Sequence, residues 1–124
     1  MVRRTVEALS LANKAGLVTT GFSKIDAELV RGGVEILVHA IEAAEDGCGK
    51  LDRKWTAIAT ELGRRPRVVR ELTIAQLDLA IGRENVVHAA LSAGGATNRF
   101  SIEAERLGRY RLHDSSPASE STVD

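Results

Sequence analysis

The sequence has one cysteine, Cys48, so no internal disulfide can form, and a reduced, cytosolic setting suits it. It has no apolar run approaching the roughly twenty residues that a membrane-spanning helix needs. The first residues, MVRRTVEALSLANKAG, lack the unbroken apolar segment of a secretory leader. A soluble, cytoplasmic protein is expected. A surplus of charge is missing too. Lys+Arg and Asp+Glu each number 17, which leaves a formal charge of +0 and no strong general attraction to nucleic acid. There is no internal repeat.

What is present points to a compact fold. An apolar content of 44% over 124 residues is typical of a single globular domain with a real core. The charge is unevenly placed. Residues 1–50 hold 6 basic and 7 acidic side chains, residues 51–113 hold 11 and 7, and residues 114–124 hold three acids and no base. The segment 1–113 is therefore 17 minus 14, or plus three, which leaves room for a local basic face. HDSSPASESTVD is acidic, Ser-rich and poor in apolar residues, so residues 114–124 are expected to be a disordered tail. The chain begins inside a helix pattern, as a piece of a longer protein would.

Periodicity gives the element order. Val2, Val6, Leu9 and Ala12 recur at helical spacing before Gly16. LVTT is a short extended run. Ile25, Leu29 and Val30 share a helix face that ends at Gly32–Gly33. VEILVHA is apolar and β-branched, as in a strand covered on both sides. AAEDGCGK reads as a loop. LDRKWTAIATELG is an amphipathic helix with Leu51, Trp55, Ile58, Ala59 and Leu62 on one stripe. RVVREL reads as a strand, Thr73 as the cap of TIAQLDLAIG, and NVVHAALSA as a further strand. A last helix carries Phe100, Ala104 and Leu107. Helices and strands alternate strictly with short links. This predicts a three-layer α/β/α sandwich, with a four-stranded, mostly parallel sheet between helices on both faces.

Several chemistries lack the residues they need. GCGK, Gly47 to Lys50, resembles the end of a phosphate-binding P-loop. Ala44 and Leu51 stand where that motif requires Gly and Ser/Thr, so nucleotide binding is rejected. His39, His88 and His113 are scattered, and Cys48 has no partner at ligand spacing, so no metal or cofactor is expected. His39 and His88 read as hydrogen-bonded structural histidines. No nucleophile sits in a G-x-S-x-G context, and no enzyme activity is expected.

Helix ends and basic clusters remain. In TTGFSKIDAELVRGG, Thr20 or Gly21 opens a helix whose first N–H groups and dipole could hold a phosphate. Gly21 permits close approach, Phe22 could stack, Ser23 could hydrogen-bond and Lys24 supplies charge. The alternative is structural: Thr20 caps the helix, Gly21 turns the chain and Phe22 staples it to the core. GRENVV presents Arg83, Glu84 and Asn85 in a polar turn. RRPR (Arg64 to Arg67), Arg70, and the arginines of the last helix could pair with phosphates or solvate a surface.

Taken in order, AGLVTTGFSKIDAELVRGGVEILVHAIEA and RVVRELTIAQLDLAIGRENVVHAAL resemble the kink-turn-binding ribosomal protein superfamily of L-seven-Ae and L-thirty-e. The resemblance covers about residues 5–112. Among bacterial relatives it is similar to YlxQ-type proteins and to the C-terminal half of longer alphaproteobacterial YlxR-containing proteins, which implies a possible N-terminal YlxR-type domain as partner. It implies an L-thirty-e-like fold with a central mixed four-stranded sheet, and binding of structured RNA in a translation- or ribosome-associated setting. The implied site comprises Thr20, Gly21, Phe22, Ser23, Lys24, Glu42, Arg83, Glu84, Asn85 and Val86. The family's helix mouth reads Gly-x-Asn-Glu-x-x-Lys. Here the Gly is kept as Gly21, while Ser23, Lys24 and Ala27 replace the other three. Lys24 puts a cation where an acceptor stood, which favours phosphate over a guanine edge. RNA recognition is thus expected mainly through backbone and shape, with marked salt dependence. The competing expectation is a degenerate RNA-binding fold that serves as a protein-docking domain.

Overall fold

The structure, a computed structural model, describes residues 1–114. The tail expected over 114–124 lies outside them, except that Asp114 is the last residue of the final helix. Helix α1 (Val2–Lys14) buries Thr5, Ala8, Leu9 and Ala12 along one stripe. It is followed by β1 (Val18–Thr20) and α2 (Phe22–Arg31), which stops at Gly32 in the left-handed region (φ 75°). All five residues of β2 (Ile36–Ala40) are buried, as a strand with helices on both faces requires. Helix α3 (Glu45–Glu61), β3 (Arg67–Leu72), α4 (Ile74–Ile81), β4 (His88–Leu91) and α5 (Gly95–Asp114) complete the order. Among the described residues no helix is long and apolar enough to cross a membrane.

The four strands are ordered β1-β4-β2-β3. The sheet is mixed, as the L-thirty-e-like resemblance implies, and not mostly parallel, as the alternation of elements alone suggests. Only β2 and β3 run parallel, while β4 is antiparallel to both β1 and β2. The eight-residue α4 explains the reversal. It carries the chain sideways from the end of β3, beside Ala40, to the start of β4, beside His39. The chain has not been returned along the length of the sheet, so β4 must run back.

Two cores flank the sheet. Ile36, Val38 and Ala40 of β2 join Ala89 and Leu91 of β4 against Leu9, Leu77 and Phe100, from α1, α4 and α5. Leu37 and Ala90 project the other way, against Ile25, Leu29, Leu51 and Trp55 of α2 and α3. This is the predicted α/β/α sandwich. Val30, expected on the buried face of α2, is instead exposed, so that stripe narrows to Ile25 and Leu29.

The stretch AAEDGCGK, expected as a loop, mostly forms the first turns of α3. Glu45 and Asp46 suit the positive end of the helix dipole. At Gly47 space is tight: a Cβ there would stand 3.3 Å from His88 Nε2, and the ring would have to give by a few tenths of an ångström. The start of α4 is as expected and stronger. Thr73 accepts from the Gln76 N–H (3.1 Å), and the Gln76 side chain accepts from the Thr73 N–H (2.9 Å), a reciprocal capping box. Thr73→Ala is expected to cost about 1 kcal/mol in urea unfolding.

The arginine cluster is largely scaffold rather than a free phosphate-pairing face. Arg64 donates to the Gly32 carbonyl (3.1 Å), and Arg67 donates to the Ser101 carbonyl (3.2 Å). Arg70 donates to the carbonyls of Ala40, Ile41 and Ala43 and pairs with Glu45 (2.8 Å). On α5, Arg111 pairs with Glu71, Arg109 with Glu105 and Arg106 with Glu103.

Candidate nucleic-acid interface

The site lies at the end of the sheet where β1 finishes and β4 begins, since Thr20 pairs with Ala89. Thr20 therefore belongs to the strand and does not cap α2. Gly21 is the N-cap, at φ 90° and ψ 134°, with no side-chain hydrogen bond to the helix end. A Cβ at this position would meet nothing within 4 Å, so glycine serves the backbone angle and not a shortage of space. The first rung of the helix is Ile25 N–H to Gly21 O (3.0 Å). The N–H groups of Phe22, Ser23 and Lys24 precede it and carry the positive end of the dipole. Phe22 is 42% exposed and is not a core staple. Its ring stands edge-on to His88, with centroids 6.3 Å apart.

The facing wall is the loop between α4 and β4. Gly82 ends α4 in the left-handed region (φ 74°), and Asn85 also takes a left-handed conformation (φ 57°), which asparagine tolerates better than most residues. The Asp78 carboxylate holds this loop, accepting the Asn85 N–H (3.0 Å) and the Val86 N–H (2.7 Å). Val86 is buried, while Arg83, Glu84 and Asn85 are exposed.

Between these walls is a cleft of about 570 Å³, lined by Thr20, Gly21 and Phe22 on one side and residues 83–88 on the other. Two of the three segments expected to form the site thus meet. Ser23 and Lys24 follow on the exposed first turn of α2, outside the cleft lining. Glu42 does not line the cleft; its carboxylate accepts the Ile74 N–H (2.8 Å) at the start of α4. Among the described residues Lys24 and Arg83 form no ion pair, whereas Asp26 is taken by Lys54 (2.7 Å). Val87 and His88 line the cleft without having been expected there, and no sequence signal marked Asp78 as the residue that shapes it.

Behind the cleft wall two of the three histidines expected to be scattered, His39 and His88, come together. His39 and His88 are direct cross-strand partners of β2 and β4, and their rings meet edge to face at 5.0 Å. Their Nδ1 atoms are 2.8 Å apart, and His39 Nε2 is 2.7 Å from Asp52 Oδ1. His39 is thus hydrogen-bonded through both ring nitrogens. Burial, helped by His39, pushes the His88 pKa below the ordinary histidine value. Burial pushes the Cys48 thiol up.

No protein-family model and no curated protein matches the sequence. Solved structures do match. A protein of unknown function from Bacillus halodurans C is 20% identical with a TM-score of 0.67, over 82% of this chain and 97% of that one. The Giardia lamblia 15.5kD RNA binding protein is 11% identical with a TM-score of 0.57, over 86% of this chain and 87% of that one. At these identities the likeness establishes the fold: an α/β/α sandwich of the L-seven-Ae and L-thirty-e type, with a mixed four-stranded sheet.

Proposed function

We propose that this chain is an RNA-binding domain that recognises structured RNA mainly through backbone and shape. The supporting observation is the cleft in which the uncapped mouth of α2 faces the Asp78-held loop, on a fold shared with the Giardia RNA binding protein. The N–H groups at the helix mouth suit phosphate, as do Lys24 and Arg83 beside it, which form no ion pair among the described residues. Exposed Phe22 offers a face for a splayed base. The proposed contact set is Thr20 to Lys24 with Arg83 to Val86; Glu42 contributes by fixing α4. The assigned role is binding, with no catalysis. Membership of the kink-turn-binding superfamily, of YlxQ or YlxR-associated type, and a place in translation belong to the same proposal.

Because most other arginines are engaged within the fold, the binding charge is concentrated in few side chains. Reversing two of them should therefore have a large effect. Lys24→Glu with Arg83→Glu is expected to weaken RNA binding at least about tenfold at low salt and to flatten its salt dependence. Fluorescence anisotropy with a labelled kink-turn RNA and a plain duplex of equal length, at two salt concentrations, checks this. Preference for the kink-turn assigns motif recognition to the altered mouth, and equal, salt-sensitive binding assigns backbone recognition. No binding to either overturns the proposal in favour of a docking domain.

A further inference from the structure

We propose that His39, Cys48 and His88 form a binding site for a tetrahedral transition-metal ion, zinc by the chemistry of the donors. One nitrogen from each imidazole and the Cys48 sulfur all lie within 4.8 Å of one another. A tetrahedral zinc bound at about 2.0–2.1 Å to nitrogen and 2.3 Å to sulfur sets its donor atoms roughly 3.3–3.6 Å apart. Separations of up to 4.8 Å therefore need to close by about 1.2–1.5 Å at most. No sequence spacing marks the site, because the sheet makes it. Register places His39 opposite His88 on the face that turns toward α3, and the first turns of α3 bring Cys48 to them.

Four further features fit a metal. His39 Nε2 is 2.7 Å from the Asp52 carboxylate, which holds the proton on that nitrogen and leaves Nδ1 as the acceptor in the 2.8 Å contact with His88 Nδ1, a hydrogen bond that a bound ion would replace. A carboxylate that orients a histidine in this way is the usual second partner of a metal-bound imidazole. His39 and Cys48 are 1% and 3% exposed, while His88 lines the cleft and supplies a path for entry. Charge also closes. A divalent ion balances the Cys48 thiolate and the Asp52 carboxylate, and nearby Arg70 is already balanced by Glu45. The missing side chain of Gly47 leaves room for the His88 ring beside the helix that carries the thiol. The ion ties β2, β4 and α3 together behind the cleft wall and fixes the ring against which Phe22 stands. The proposal is independent of what the cleft binds.

Titration of the metal-free chain with cobalt(II), followed by absorption, tests the site. The expected result is one ion per chain, with a thiolate-to-cobalt charge-transfer band and the visible spectrum of tetrahedral cobalt. Zinc should displace the cobalt and raise the melting temperature. Cys48→Ser should abolish the band, and His88→Gln should lower zinc affinity at least about a hundredfold in competition with a chromophoric chelator. Asp52→Asn should lower it about 10–100-fold. His113→Gln, on α5, should leave it unchanged. Absence of the band in the unsubstituted chain overturns the proposal without recourse to any variant. Zinc affinity that neither Cys48→Ser nor His88→Gln lowers from that of the unsubstituted chain also overturns it, assigning the ion to other surface groups.

Discussion

Trp55→Ala is expected to destabilise the domain by about 3–5 kcal/mol, the largest loss from any one substitution considered for this chain. Trp55 is 1% exposed and packs with Ile25, Leu29, Leu37 and Leu51, so it occupies the centre of the core between the sheet and α2/α3. Removing the indole leaves a void that neighbours on two helices and a strand cannot close together. Its N–H also donates to the Arg67 carbonyl (3.1 Å), tying α3 to the first residue of edge strand β3. Alanine loses both the packing and that bond. Domains of this size have total stabilities of about 5–15 kcal/mol, so the variant should be close to unfolding at room temperature. Trp55 is the only tryptophan, so urea unfolding is best followed by circular dichroism. Trp55→Phe restores much of the volume but not the donor, and it should fall between the two. A loss below about 1 kcal/mol for alanine would show that this core is not packed as described.

Asp78→Ala should cost about 2–3 kcal/mol and weaken RNA binding without removing any residue that lines the cleft. One carboxylate on α4 accepts two backbone N–H groups, those of Asn85 and Val86. Val86 is 4% exposed, so its N–H is poorly placed to find water instead. Asn85 sits at φ 57°, a conformation with little intrinsic preference that the Asp78 bond helps to hold. Once released, the loop should sample more conformations, and any ligand must then re-order it. Asp78→Asn keeps one strong acceptor oxygen and should retain part of both effects. Urea unfolding measures the first effect and RNA anisotropy the second. If stability falls while RNA affinity stays unchanged, the loop is not part of the binding surface.

Much of the fold was legible because its signals are local. The stripe Leu51, Trp55 and Ala59 (without Leu62, which is exposed at the end of α3), the box Thr73–Gln76 and the five buried residues of β2 each follow from residues near one another in sequence. The departures follow from distant partners. Gly47 and Gly49 read as a loop because the His88 ring that Gly47 accommodates comes from a strand 41 residues further on. RRPR and Arg70 read as solvated charge because the carbonyls they bind belong to other segments. Strand direction does not follow from the alternation of elements alone, because it depends on how far α4 carries the chain; the mixed sheet came from the family resemblance. The candidate site was legible in part for the same reason. Gly21 and the 83–86 loop carry local marks, a glycine at a helix start and a polar turn after a glycine stop. Asp78 and the His39–His88 pair acquire their roles only through tertiary contact.

The strand order carries a consequence for how the chain reaches its native state. β4 is the last strand to be made, yet it sits inside the sheet, and β1, made first, hydrogen-bonds to β4 alone. A chain emerging from the ribosome can pair β2 with β3 early, but its first strand has no partner until residues 88–91 are out. Closure of the sheet therefore spans some seventy residues and bears the entropy of a long loop, which slows folding relative to a helical bundle of equal length. Until then the exposed edge of β2 is open to pairing with another chain, which makes the nascent protein more prone to association than the finished one.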